Sequence, residues 1–302
     1  MSRTRSIGPA FVLSLLLTAC GGNAPDTTPP EAVRGVEITA TGSSIRVRWL
    51  PNYAVDLSHY LLYQGTRPDS LWTGGHRITS TWRDVYSLTI GTRYHFGITA
   101  VDEAGNESVM SEVVEVTPVN AAWETQLGWT AFQAEDYSGA LYHFYLAREL
   151  DPDHAPAYLG EGWSRAYVGL LNSARTSLEQ AQSLGLATQD ARAGLAVVLK
   201  LLGESNGAIA AADTVLTYEP AYVFTWRSSI DWRDLRLLMA QCWYRLGEPF
   251  FEQVQTQVDL LDPGNGLAPQ DPGSWTVDGV LYESYAVALL MELMILETVI
   301  GG

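Results

Sequence analysis

Gly128, Ala140 and Ala147 return as Gly162, Ala174 and Ala181, each shifted by 34 residues. Three small side chains recurring in register constrain this chain more than any other feature. A Gly or Ala where two helices cross lets their axes approach closely, and a period of this length means antiparallel helix pairs stacked into a solenoid. The 302 residues, 47% of them hydrophobic and only 17% charged, are enough for that array and a second core, and too apolar for a disordered protein.

Against 34 acidic residues stand 18 basic ones, a formal charge of −16. A surface of that sign repels phosphate backbones, so nucleic acid is excluded as a partner.

The first residues read as an export signal: Arg3 and Arg5 precede an apolar run, Phe11 to Leu17, that is too short to span a bilayer. The run ends in Leu17-Thr18-Ala19-Cys20, which resembles the bacterial lipobox. That resemblance implies removal of residues 1–19 and a mature chain that begins at Cys20 with a diacylglyceryl group and an N-acyl chain, lipid-anchored in the bacterial cell envelope. More than one chain is what makes such anchoring stable. The other reading is an ordinary secretory signal with an incidental cysteine. Gly21, in place of the Asp associated with inner-membrane retention, points to the outer membrane. Residues 20–30 then form a Pro-rich tether of about 30 Å, and Cys242 is left as the free thiol, a small apolar residue among Ala240, Trp243 and Leu246.

Residues 31–118 carry short alternating runs, Val36-Ile38, Ile45-Val47-Trp49, Tyr60-Leu62, Tyr94-Phe96-Ile98-Ala100 and Val113 to Val116, separated by Gly, Asn, Asp and Pro. This is the pattern of an all-β sandwich with one face of each strand buried. Trp49 at the end of IRVRW, Asp56 and Tyr60 before the next strand, and the stretch Gly91 to Ser108 resemble a fibronectin type III domain. The resemblance implies that Trp49 fills the sandwich centre and that Tyr94 or its neighbourhood closes a corner. For Trp72 and Trp82, in the long aromatic stretch Leu71 to Tyr86, core and loop both stay open. Asp102, Glu103 and Glu107 fall on the implied hairpin turn, as a solvated cluster or a calcium site.

After Pro118 helical periodicity takes over, in residues 119–263. The first repeat, 121–154, has Leu127, Gly128, Ala140, Phe144, Ala147 and Pro152, and resembles the tetratricopeptide repeat, with departures at Glu124 and Ala131. The second, 155–188, has Tyr158, Gly162, Ala174, Leu178 and Ala181; the third, 189–222, has Leu195, Ala196, Leu199, Ala208 and Pro220. A fourth, 232–265, begins late, so Tyr222 to Ile230 is an insertion. Residues 264–279 read as a linker and 280–300 as a helix packed against the array. Glu283, Glu292 and Glu297 argue against a membrane span at ~2.5–3.5 kcal/mol per central acidic residue. The expected fold is therefore multi-domain, an all-β sandwich followed by an all-α solenoid.

No residue pattern points to catalysis, a cofactor or a metal. His59, His76, His95, His143 and His154 are scattered, and no phosphate loop, GxSxG or CxxC is present. The resemblance implies a concave groove lined by the first helix of each repeat: Trp129, Phe132, Trp163, Tyr167, Lys200, Arg236, Trp243 and Tyr244. Such an aromatic trough with a few cations suits a protein or peptide partner. Three arrangements remain: a groove open to a partner, a groove filled by Val280 to Ile300, or aromatics that only pack the repeats together. The function expected is a non-catalytic, membrane-anchored adaptor, with a glycan- or polymer-contacting surface lipoprotein, using Trp72 and Trp82, as the alternative.

Overall fold

The computed structural model describes residues 25–41, 44–73 and 77–300; residues 1–19, Cys20, the start of the tether and His76 lie outside the described residues. The chain divides into two compact units, one built mainly on strands and one mainly on helices.

Strands β1 (Glu37–Thr41), β2 (Ser44–Arg48), β3 (Leu57–Gly65), β4 (Trp72–Thr73), β5 (Trp82–Val85), β6 (Tyr94–Asp102) and β7 (Val114–Val116) form two sheets, in the orders β1-β2-β5 and β4-β3-β6-β7. β2 shows the alternation that builds a sandwich: Ile45 and Val47 are buried while Arg46 and Arg48 face out. Trp49 follows them into the core, edge-on to Tyr60 with 5.4 Å between ring centroids. Tyr60 pairs with Ala100 of β6, and its hydroxyl accepts the Asn52 amide at 2.8 Å.

β6 is buried on both faces, because Met110 and Leu71 lie where a side chain at Gly97 would project. The hydroxyls of Ser108 and Ser111 accept the Ala100 and Ile98 amides, each at 3.0 Å, so polar side chains complete the ladder where the neighbouring chain is irregular. Trp72 and Trp82 are both exposed.

The helical unit holds four hairpins among the described residues: α1 (Ala121–Gln133) with α2 (Tyr137–Leu150), α3 (Ala155–Tyr167) with α4 (Leu171–Ser183), α5 (Gln189–Leu202) with α6 (Ser205–Tyr218), and α7 (Trp232–Leu246) with α8 (Phe251–Leu261). Each expected repeat window contains one pair. Asn120, Asp136, Thr188 and Asp231 cap α1, α2, α5 and α7 through side-chain oxygens.

The repeated small residues sit at the helix crossings. Gly128, Ala140, Ala147, Gly162, Ala174 and Ala181 are all buried. The Phe144 ring lies where side chains at both Gly128 and Gly160 would be, and Leu178 fills the same place over Gly162. Glycine here makes room for a neighbour's ring or branch. Buried Glu161 ties three helices together, accepting Arg148 of α2 at 2.9 Å, Arg165 of its own helix at 2.8 Å and Ser177 of α4 at 3.1 Å. Cys242 is free and buried, and burial pushes its thiol up.

The end of the chain departs from the sequence expectation. Val280–Leu281 (β9) pairs with Thr276–Val277 (β8), and the helix α9 starts only at Tyr285 and runs to Ile300. Leu267 and Val277, in the stretch expected to be a linker, are buried beside α9. α9 sets Ala288, Leu289, Leu293 and Leu296 against Leu237, Ala240, Val254 and Val258. It therefore closes the open end of the α7–α8 pair and does not enter the groove of the earlier repeats. No helix among the described residues is long and apolar enough to cross a membrane.

Candidate functional site

The first helices of the first two hairpins bring Trp129 and Phe132 of α1 together with Trp163 and Tyr167 of α3, and Tyr137 joins them from α2. The trough they form is occupied by the insertion between α6 and α7. Phe224 stacks on Trp163, 4.2 Å between centroids at 25°, and meets Trp129 and Phe132 edge-on. Trp226 stacks on Trp129 at 4.6 Å and 2°.

The Arg227 guanidinium lies 4.8 Å from the Tyr167 ring centroid and 5.3 Å from that of Phe132, a cation over aromatic faces. It also donates to the Tyr137 hydroxyl at 3.1 Å and pairs with Glu135 at 3.5 Å. Tyr222 anchors the start of the loop by donating to the Asp190 carboxylate at 3.0 Å, while Trp163 donates its indole N–H to the Asp190 carbonyl at 3.1 Å. Burial, then the Asp190 charge, drive the Tyr222 phenol far above its ordinary range. The Tyr167 phenol is raised too, chiefly by burial and against the pull of Arg227.

The loop's main chain bonds to itself. The Phe224 amide donates to the Ile230 carbonyl at 2.8 Å, Ile230 to Arg227 at 3.0 Å, and Trp232 to Tyr222 at 2.8 Å. Its insertion is thus a closed turn whose side chains, rather than its backbone, do most of the gripping.

This arrangement corrects the expected groove. Trp129, Phe132 and Trp163 are 2%, 0% and 2% exposed, so none faces solvent; Tyr167 is 39% exposed at the rim. They are buried because Phe224 and Trp226 supply the rings that an open groove would lack. Lys200 is half-buried in the last turn of α5. Arg236 donates to Gln257 of α8 at 3.0 Å, and Tyr244 stacks on Phe251 and donates to the Ala286 carbonyl at 3.1 Å. These two face the α8–α9 end, away from the trough, and Trp243 packs against the buried cores on both sides. The Phe224–Arg227 stretch fills the candidate site and is what sequence reasoning missed. Its signal was the FTWR run inside a segment recognised only as an interruption of the repeat.

In the sandwich unit, Asp102 lies with Asp26 and Asp56, their carboxylates within 4.8 Å of one another. Of the three acids expected on this turn, Glu103 and Glu107 are exposed and Asp102 is buried. Glu107 accepts Tyr63 at 2.6 Å and Thr99 at 2.7 Å. Burial acts to raise Asp102, but hydrogen bonds from Asn106 and the turn backbone outweigh it and hold its carboxyl below the usual range.

Residues 28–117 match the family model "Fibronectin type III domain". That segment is a fibronectin type III domain. The curated relative Chitinase A1 of Niallia circulans is 33% identical over 146 residues, which cover 44% of this chain and only 20% of that protein. Among solved structures, YrrB, titled a TPR protein with an unusual peptide-binding site, aligns with 59% of this chain and 87% of its own at 18% identity and a TM-score of 0.43. MamA aligns with 59% of this chain and 92% of its own at 18% identity and a TM-score of 0.42. A tetratricopeptide-like description of the array rests on its own geometry, four stacked hairpins with small residues at the crossings of the first two pairs.

Proposed function

We propose that this chain is a non-catalytic adaptor of the bacterial cell envelope, anchored by lipid on Cys20 in the outer membrane, with the fibronectin type III domain as a spacer and the helical array as a module that binds a protein or peptide partner. One observation carries the reading. The rings of Trp129, Phe132, Tyr137, Trp163 and Tyr167 form a surface that takes two aromatic side chains and a guanidinium from one short stretch of polypeptide. Aromatic anchors in slots, with a cation held over ring faces, are the chemistry of peptide recognition.

Affinity capture with the full chain from detergent-solubilised envelope, read by mass spectrometry, tests it. At least one envelope protein in near-stoichiometric amount is expected; recovery of none above an unrelated acylated control sinks the adaptor reading. Metabolic labelling with a palmitate analogue tests the anchor separately, with label expected on the wild type and absent from Cys20→Ser.

The glycan reading is favoured by the exposure of Trp72 and Trp82, at 59% and 46%. The two indoles stand in different sheets, however, and the Arg46 guanidinium covers the Trp82 ring at 4.5 Å, so they offer no common stacking platform.

A further inference from the structure

We propose that the loop Tyr222 to Ile230 is a displaceable occupant of the trough, and that the partner replacing it is a peptide with two aromatic residues separated by one residue and followed directly by arginine. This rests on the adaptor reading and extends it by naming the ligand's chemistry, which is that of Phe224, Trp226 and Arg227.

Three observations support it. The stacking happens without need of a long connection: the α2–α3 junction takes only residues 151–154 and the α4–α5 junction 184–188, whereas α6 and α7 are separated by 219–231. The extra length therefore serves the trough rather than the turn. Next, the loop's own backbone bonds run within itself, so departure from the trough breaks ring contacts, the Arg227 bonds to Tyr137 and Phe132, and the Tyr222 bond to Asp190, and leaves the helices' own backbone bonds intact. Finally, the grip is graded: Phe224 is fully buried, but Trp226 and Arg227 remain half-buried at the surface, where an incoming ring and cation first compete. Glu135 beside Arg227 and the overall charge of −16 favour a cationic peptide.

A tethered occupant acts at an effective concentration on the order of millimolar. A free peptide making the same contacts is held off in the wild type, its apparent affinity reduced by the fraction of molecules whose trough is vacant. Weakening the loop's grip raises that fraction.

The test uses the full chain in detergent and a fluorescein-labelled peptide of sequence YVFTWRSSI, read by anisotropy. The Trp226→Ala/Arg227→Ala variant is expected to bind it about tenfold tighter or more than wild type, and to ignore a control peptide whose Phe, Trp and Arg are alanine. Equal binding by both proteins, or equal binding of both peptides, overturns the proposal when circular dichroism shows the variant's helices intact. Amide hydrogen exchange on the wild type provides a reading independent of any variant: Phe224, Ile230 and Trp232 are expected to exchange through an opening that leaves α3 and α5 protected. Exchange of those amides only together with the two helices would make the loop part of the core and end the proposal, as would a wild-type dimer formed by trading loops between copies. Envelope capture reads a different quantity, so a partner recovered through another surface leaves the adaptor reading standing when the peptide fails.

Discussion

The Trp226 indole lies flat on that of Trp129, 4.6 Å between centroids and 2° from parallel, although Trp129 belongs to α1 and Trp226 to the insertion between α6 and α7. This contact joins the insertion to the first hairpin and turns an aromatic groove into a filled one.

Its partner in the loop, Phe224, is 1% exposed, and Phe224→Ala is expected to cost about 3–5 kcal/mol of helical-unit stability. Trp226→Ala, at a half-buried position, should lose about 0.5–1.5 kcal/mol of ring stacking beyond its area term. Urea denaturation followed by circular dichroism ranks the two; a Trp226→Ala effect exceeding that of Phe224→Ala contradicts the graded grip.

At the helix crossings, Gly160→Ala drives a methyl into the Phe144 ring. Overpacking of this kind typically costs about 1–3 kcal/mol. Gly169→Ala, where nothing lies within 4 Å but φ is +79°, supplies a contrast in which only backbone strain acts. Thermal melts of both variants check it, and a wild-type midpoint for Gly160→Ala argues against close packing at this crossing.

Trp49 sits 4% exposed at the centre of the sandwich. Trp49→Ala is expected to remove about 3–5 kcal/mol and to unfold the fibronectin type III domain or nearly so. Limited proteolysis reads this out, since the loosened sandwich is cut while the helical array persists.

Glu292 on α9 is 7% exposed, and burial, with the nearby Asp262 charge, raises its carboxyl above the usual range. A folded-state pKa above the unfolded one contributes stability that is fully present below the unfolded value of about 4.3 and is lost as pH rises through the folded value. Glu292→Gln should therefore be more stable than wild type at pH 7, with the difference shrinking toward pH 4. Denaturation midpoints across that range decide it; a destabilised Glu292→Gln at pH 7 would mean that the carboxylate has a favourable partner.

Much of the architecture is legible in local pattern. The helix pairs follow from the return of Gly128, Ala140 and Ala147 one period later, and the sandwich from alternation such as Ile45 and Val47 leading into Trp49. Even the limits of the insertion can be read, because Tyr222 to Ile230 is the stretch by which the fourth repeat is late. The aromatics of α1 and α3 were also recognisable as a set. Whether they line an open groove or a packed interior was not, since helical spacing places a residue on the inner face in both cases.

The chain's own residue order thus determined which segments become strands and helices and where their axes can approach, all consequences of side-chain size and periodicity acting over a few turns. Only the tertiary structure decided that Arg227 reaches the Phe132 carbonyl across 95 residues of chain, and that α9 settles on α7 and α8. Such contacts depend on which apolar surface remains uncovered after the hairpins have stacked. That surface is a property of the assembled array, and no single stretch of sequence contains it.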